Sequence, residues 1–276
     1  MAWLVHDLLQ ISELSDLVYI GWELLPPSPK PISAIFESGR LAAPRARLIR
    51  QRLEAIRSFG DDRTNGDSPE ERCPLWVEHS LQEAPFVVVR RAKLFDGMIP
   101  VGVRGSLRTQ RYAAYLAPES IRNRITPEQL SPARGWLANA RTEKVPALKV
   151  LAGLKEKLPS FPLTYGPIGS IGFEIASNYP AATPASDLDL LIRAPERFSM
   201  QLAQELITIF SGSSCRVDAQ LETPRGAVAL AEYASGQRPL LLRQDDGPLL
   251  VDDPWEFHHR DTENAEVRGT DWRKAG

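Results

Sequence analysis

The chain has 276 residues, of which 43% are hydrophobic and 25% charged, a composition typical of a globular protein with one large domain or two modest ones. The net charge of −2 gives no global electrostatic reason to expect binding to nucleic acid or to an anionic membrane. Cys73 and Cys215 lie far apart without a metal-binding spacing, which excludes a disulfide framework and argues against a structural zinc site. Because the start of the chain lacks signal-peptide features and no apolar run approaches the ~18 residues of a membrane span, we expect a cytoplasmic protein with no membrane partner.

The first 70 residues have the composition of a peripheral region. Prolines between Pro26 and Pro31 favour extended backbone, and the arginine-rich segment Arg45–Phe59 has apolar residues at helical spacing, which predicts a helix with a solvated basic face. Residues 60–71 are rich in turn formers and charge. The sequence therefore predicts a long loop or insertion near residues 25–71.

The next segments alternate between strand and helix patterns. Phe86–Val89 and Ile99–Arg104 are β-branched runs that predict strands, with a turn at Asp96-Gly97 between them. Thr126 before Pro127 is typical of a capped helix start. A further helix is predicted from Pro146 to Leu158, with leucines along one face.

The last third of the chain also mixes the two element types. It predicts a strand that ends near Gly169-Ser170 where a short helix begins, followed by a series of strands and helices: strand Ser186–Arg193, helix Pro195–Phe210, strand Cys215–Leu221, helix Gly226–Ala234, and a hairpin of Pro239–Arg243 with Pro248–Val251 around Asp246-Gly247. This pattern indicates an α/β (α+β) fold with a mixed sheet and flanking helices. We expect an α+β N-terminal domain over residues 1–144, a catalytic domain over 145–255, and a polar tail over 256–276.

The strongest functional signal is an acidic strand. Side chains alternate between the two faces of a strand, so Asp187 and Asp189 point to one face while Leu188, Leu190 and Ile192 point to the other. With a rise of ~3.3 Å per residue, the two aspartates are about 6.5 Å apart and can converge on a hard cation such as Mg²⁺. A half-exposed strand with a wet face is the alternative, and an Asp-x-Asp pattern alone does not exclude it.

Two further elements strengthen the metal hypothesis. Gly169, Ser170 and Gly172 lie at a predicted strand-to-helix junction, where backbone amides can approach a phosphate closely. Asp218 lies on the following strand, and if that strand neighbours the acidic one, Asp218 reaches the same centre. Together they predict two Mg²⁺ ions held by Asp187, Asp189 and Asp218 beside a phosphate-binding turn.

These residues resemble the Gly-Ser, Asp-x-Asp, Asp signature of the DNA polymerase β-like nucleotidyltransferase superfamily. A resemblance over more of the chain is to the malonate decarboxylase holo-acyl-carrier-protein synthases, the phosphoribosyl-dephospho-CoA transferase family. It is carried by His6–Leu9, Val88–Ala92, Ile99–Gly105, Thr126–Leu130, Gly169–Glu174, Ser186–Leu191, Asp218–Ala234 and Leu250–Trp255.

The resemblance implies a transferase. Its donor is 2'-(5-triphosphoribosyl)-3'-dephospho-CoA, its acceptor is a serine on the acyl carrier protein subunit of malonate decarboxylase, and diphosphate is the leaving group. It also implies that Asp187 and Asp189 are the catalytic pair. We expect no nucleic acid partner.

A run of basic residues offers a surface for such substrates. Arg90, Arg91, Arg104, Arg108 and Arg111 lie within 22 positions that hold a single acidic residue, and either a polyphosphate donor or an acidic carrier protein requires such a surface. Dispersed surface charge is the alternative explanation. Two alternative functions stay open at this point: transfer of AMP or GMP from an ordinary nucleoside triphosphate, and a non-catalytic module that binds a carrier protein.

Overall fold

The computed structural model describes residues 3–18, 73–132, 141–158 and 163–256. They form two six-stranded sheets and five α-helices, which confirms the mixed α/β class. The predicted insertion at 25–71, the helix Arg45–Phe59 and the tail from residue 257 lie outside these ranges. The division at residues 144 and 145 stays a prediction. No helix in the described ranges is both long and apolar enough to span a membrane.

The N-terminal sheet is antiparallel throughout, with strand order β2-β5-β4-β3-β1-β6. A helix, α1, covers it at Leu75–Glu83, with Val77 and Leu81 buried. Its strands are β1 (Leu8–Ile11), β2 (Leu17–Val18), β3 (Phe86–Val89), β4 (Ile99–Arg104), β5 (Arg111–Leu116) and β6 (Ile121–Ile125).

The C-terminal sheet is mixed, with strand order β12-β11-β10-β9-β8-β7. Its one parallel pair is β8 with β9, and helix α4 provides the crossover between them. The strands are β7 (Tyr165–Pro167), β8 (Leu188–Arg193), β9 (Val217–Thr223), β10 (Gly226–Ala229), β11 (Leu240–Gln244) and β12 (Gly247–Val251); the helices are α2 (Pro146–Lys157), α3 (Gly169–Ser177), α4 (Met200–Ser211) and α5 (Leu230–Ala234).

One face of β8 anchors the C-terminal core. Leu188, Leu190 and Ile192 are at most 1% exposed and pack in one cluster with the leucine face of α2, as the alternation in the sequence predicted. The opposite face of β8 and β9 is turned toward the N-terminal sheet. Among the described residues, a small apolar cluster around Leu8, Phe86, Leu130 and Phe173 joins the two domains.

Most predicted elements are present with boundaries shifted by a few residues. The strands at Phe86–Val89 and Ile99–Arg104 match the prediction, and Asp96 and Gly97 have positive φ in the turn between them. Thr126 forms a capping box, although the helix it begins is a short 3-10 helix at Pro127–Leu130.

Three predictions about elements were wrong. The segment Leu8–Ile11 is not peripheral, because β1 pairs with both β3 and β6 inside the N-terminal sheet and Leu9 is fully buried. The predicted helix Gly226–Ala234 is a strand up to Ala229 and a helix only from Leu230, since Gly226 begins a hairpin with β9. The acidic strand begins at Leu188 rather than Ser186, so that Asp187 precedes it.

Candidate functional site

The two central carboxylates are brought together by the parallel pairing of β8 and β9. In that register Asp189 lies directly opposite Asp218, which confirms that the strand carrying Asp218 neighbours the acidic strand. Asp187 approaches the same position from the turn before β8, where Leu188 N donates to Arg216 O at 2.9 Å.

Electrostatics show that the three carboxyl groups sense one another. The pKa of Asp189 is raised from 3.8 to about 6, first by burial and then by the negative charges of Asp218 and Asp187. Arg104 and Arg108 lower the same pKa, so positive charge from the N-terminal domain also reaches this point. The site is therefore a carboxylate cluster whose repulsion favours binding of a cation.

The first turn of α3 lies against this cluster. Gly169 has φ of +64°, and a Cβ at this position would lie 2.2 Å from Asp189 Oδ2, so only glycine fits here. Ile168 N donates to Asp189 O at 2.9 Å, which joins the helix start to β8. Because amides in a first helical turn have no intrahelical partner, those of Gly169 and Ser170 can bind an anion beside Asp189.

Gly172 has a different role from the one predicted. Its amide donates within α3 to Ile168 O at 3.1 Å, and a Cβ would lie 2.5 Å from Pro167 O. The glycine lets the helix pack closely on β7, and its amide is already used. The predicted phosphate site therefore depends on Gly169 and Ser170.

The acidic donors fit Mg²⁺ in chemistry but only in part in arrangement. Carboxylate oxygens suit Mg²⁺, which commonly takes one or two carboxylates and completes its shell with water and phosphate. Asp187 and Asp189 meet that requirement. Asp218 Oδ1, however, accepts hydrogen bonds from Arg216 Nε at 3.2 Å and Nη2 at 2.9 Å. In line with this, the described ranges contain no group of three or more His, Cys, Asp or Glu side chains arranged to hold a metal.

The predicted basic residues divide into two groups. Arg104, Arg108 and Arg111 lie together at one end of the β4–β5 hairpin, and the first two act on Asp189. Arg91 instead donates from Nη2 to Glu222 Oε2 at 2.6 Å, in an ion pair with both side chains mostly buried. The side chain of Arg90 lies over Gly102 on β4. Arg91 therefore joins the two domains.

A buried polar network between the domains was missed by sequence reasoning. The Gln220 amide nitrogen lies 2.7 Å from His6 Nε2, and since an amide nitrogen only donates, the ring nitrogen accepts. Asp7 is fully buried and binds Arg124 at 2.7 Å. Arg193, on the same face of β8 as Asp189, pairs with Glu128 at 2.5 Å. The one signal for this network was that His6 and Asp7 interrupt an apolar segment.

An ion pair between the partly exposed Arg141 and the buried Glu174 orders the loop that leads to Asp187. Glu174 on α3 is 2% exposed and accepts from Arg141 Nε and from Ala182 N, each at 2.8 Å. Arg141 also donates to Ala182 O at 2.5 Å. The backbone N–H and the carbonyl of Ala182 are thus both hydrogen-bonded, which fixes the loop after α3 a few residues before Asp187.

Two family models match most of the chain. The family model for the phosphoribosyl-dephospho-CoA transferase MdcG N-terminal domain matches residues 4–127, and that for the C-terminal domain matches residues 130–254. No solved structure matches the chain.

Curated relatives named phosphoribosyl-dephospho-CoA transferase align with most of their own length. One from Pseudomonas fluorescens is 42% identical over 183 residues, which cover 66% of this chain and 86% of the relative. One from Pseudomonas aeruginosa is 40% identical over 187 residues, covering 68% and 87%. One from Azotobacter vinelandii is 38% identical over 214 residues, covering 76% and 96%. The chain therefore belongs to the phosphoribosyl-dephospho-CoA transferase family and is a transferase.

Proposed function

We propose that this transferase moves the 2'-(5-phosphoribosyl)-3'-dephospho-CoA group from 2'-(5-triphosphoribosyl)-3'-dephospho-CoA to a serine on the acyl carrier subunit of malonate decarboxylase. The observation that carries the proposal is the register of Asp189 with Asp218 beside the start of α3 at Gly169. A reaction of a polyphosphate requires groups that bind a metal and groups that bind phosphate. The carboxylates can provide the first and the helix amides the second, and they lie side by side here.

In this proposal, Asp187 and Asp189 would hold Mg²⁺. When bound, the metal neutralises charge on the phosphate oxygens. The amides of Gly169 and Ser170 bind phosphate oxygens, which positions the α-phosphorus for attack. The half-exposed Asp218 accepts the serine proton while the serine Oγ forms a bond to that phosphorus. The bond from phosphorus to the bridging oxygen breaks, diphosphate leaves, and a phosphodiester joins the group to the carrier.

Arg216 prepares Asp218 for this role. Its guanidinium binds Asp218 Oδ1 through two nitrogens and leaves Oδ2 for a substrate proton. The same arrangement supports placing the C-terminal domain in the DNA polymerase β-like nucleotidyltransferase superfamily, with its Gly-Ser helix start and its acids on adjacent strands. Membership of a transferase family argues against the non-catalytic alternative.

Intact-mass spectrometry of the carrier subunit tests the proposal. Incubation of the apo carrier with this chain, the donor and Mg²⁺ should add the mass of one phosphoribosyl-dephospho-CoA group, whereas labelled ATP or GTP in place of the donor should add nothing. Addition of AMP or GMP instead would favour the alternative nucleotidyltransferase function.

Two variants link that result to the site. Asp189→Asn should lower the rate at least about 100-fold, consistent with the loss of a metal ligand. Asp96→Asn is the matched control, because Asp96 lies in an exposed turn where asparagine tolerates the positive φ. Near-normal transfer by Asp189→Asn would refute the assignment of this carboxylate.

A further inference from the structure

One end of the β4–β5 hairpin concentrates positive charge. Arg104 ends β4 and pairs in register with Arg111 at the start of β5, and the connecting loop carries Arg108. Burial lowers the pKa of Arg104 to about 10, with further contributions from Arg111 and Arg108, and the pKa of Arg111 is lowered by burial and by Arg108. The three guanidinium groups thus repel one another across a short distance, which favours the binding of an anion among them.

The carboxylates of the described chain do not neutralise this group directly. Ion pairs within 4.0 Å involve other arginines and lysines in the residues that the structure covers. Arg104 Nη2 instead contacts Ala181 O at 3.5 Å, and Arg111 Nη1 donates to Gln110 O at 2.9 Å. Carbonyl contacts leave most of the guanidinium donors for a ligand, since each guanidinium carries five N–H groups.

The loop that carries Arg108 is held by its own hydrogen bonds. Gly105 N donates to Gln110 O at 3.1 Å, and Gln110 Oε1 accepts from Leu107 N at 3.0 Å. A Cβ on Gly105 would lie 2.8 Å from the Trp76 ring, so the loop packs tightly on α1. The arginines are therefore presented by an ordered hairpin, which lowers the entropic cost of binding.

The hairpin end lies beside the acidic site, although Arg108 and Arg111 are also exposed to solvent. Arg104 contacts Ala181, in the loop that leads to Asp187, and both Arg104 and Arg108 act on Asp189. Carboxylates and guanidinium groups thus line two sides of one location. This placement suits a polyphosphate with its metal, because the acids would hold the metal and the arginines would bind the outer phosphates.

We propose that Arg104 and Arg108 of the N-terminal domain bind the leaving diphosphate end of the triphosphate donor, so that the transferase site is completed across the two domains. This inference rests on the proposed function and makes it more specific, since it assigns the basic cluster to the donor rather than to the carrier protein. Arg91, which pairs with Glu222, has no part in it.

Direct binding of inorganic tripolyphosphate to the full chain tests the inference, with isothermal titration calorimetry in the presence of Mg²⁺. Arg104→Gln and Arg108→Gln should each weaken binding about 10-fold, as expected for loss of a hydrogen bond between charged groups. Arg122→Gln is the matched control, because Arg122 is exposed on β6 and donates to Ser12 Oγ. Unchanged tripolyphosphate affinity in both site variants would overturn the inference.

Steady-state kinetics give a second readout. The two variants should raise KM for the donor and leave KM for the carrier unchanged, and Arg104→Lys should recover part of the donor affinity. A rise confined to the carrier KM would assign the cluster to carrier docking and refute our assignment. Arg108 is exposed, so Arg108→Gln keeps the test valid even if Arg104→Gln folds poorly. Tripolyphosphate binding that requires both arginines, in a protein that transfers no group to the carrier, would refute the proposed function and the assignment to its donor, and would leave the two arginines as a polyphosphate-binding site.

Discussion

The replacement His6→Gln tests the polar contact between the domains. Burial lowers the pKa of His6 from 6.5 to about 3, and the positive charges of Arg91 and Arg193 contribute in the same direction. Protonation of Nε2 would also remove the hydrogen bond that this atom accepts from Gln220. Glutamine is neutral at every pH and can still bond to Gln220, so the variant removes the titration and keeps the polar contact.

The pKa values of His6 in the unfolded and the folded chain determine how the stability changes with pH. The unfolded chain takes up a proton on His6 near pH 6.5 and the folded chain only near pH 3, so the free energy of unfolding falls as the pH drops through this interval. The full slope is about 1.4 kcal/mol per pH unit, which gives roughly 2–3 kcal/mol between pH 6 and pH 4.

Asp7 has the opposite effect in nearly the same interval. Burial raises its pKa from 3.8 to about 6, against the lowering effects of Arg124, of the Leu4 amide and of Arg193. The folded chain therefore takes up this proton first, and stability rises as the pH falls from about 6 to about 4. We expect the pH dependences from His6 and Asp7 largely to cancel in the wild-type protein. Replacement of one of the two residues should therefore reveal the effect of the other.

Urea unfolding of the wild type and His6→Gln at pH 6, 5 and 4 measures the difference. The variant should gain about 2–3 kcal/mol relative to the wild type between pH 6 and pH 4, because the other titrating groups are common to both proteins. His79→Gln, at an exposed position on α1, should follow the wild type. Parallel pH profiles for His6→Gln and the wild type would show that His6 is not held neutral by the fold.

Three further substitutions test the site and the domain contact. Asp189→Asn should stabilise the protein by about 1–2 kcal/mol at pH 7 in thermal unfolding even as it abolishes transfer, because the ionised carboxyl is buried beside two others; lower stability would contradict the repulsion. Gly169→Ala should lower the free energy of unfolding by more than about 1 kcal/mol and lower kcat at least about 10-fold, because the new Cβ would meet Asp189. Gly97 also has positive φ but has no atom near its Cβ position, so Gly97→Ala should show only the destabilisation that comes from the backbone conformation. Arg91→Met and Glu222→Gln should each lower the free energy of unfolding, measured by chemical denaturation, by about 3 kcal/mol. The double variant should lose less than the sum of the two single losses. Additive losses would show that the two side chains are not coupled.

The sequence was sufficient to locate the carboxylates. Alternation along β8 places Leu188, Leu190 and Ile192 in the core, which leaves Asp189 on the opposite face, and the crossover through α4 makes β9 its parallel neighbour. These are local patterns, whose periods of two and 3.6 residues can be read from a few consecutive positions. The short helix start at Gly169 was predictable for the same reason.

Contacts between distant segments were not predictable in this way. His6 and Gln220 are 214 positions apart, and Arg91 and Glu222 are 131 apart, so no spacing rule relates them. The two alanines of Gly226–Ala229 favour a helix, but pairing with β9 makes the segment a strand, because tertiary contacts override weak propensity. The role of Gly172 likewise depends on its approach to Pro167, which the sequence does not reveal.

In our proposal, the charge of the substrate accounts for the division of the site between two domains. Asp187, Asp189 and Asp218 repel a polyphosphate until metal is bound, and the C-terminal domain offers the few amides at the start of α3 as the opposing positive field. Arginines on the N-terminal hairpin supply the charge that is lacking. Because the apolar cluster between the domains is small, ion pairs and hydrogen bonds such as Arg91 with Glu222 set the distance between arginines and acids. The proposal therefore implies that the residues that join the domains also determine how well the donor is bound.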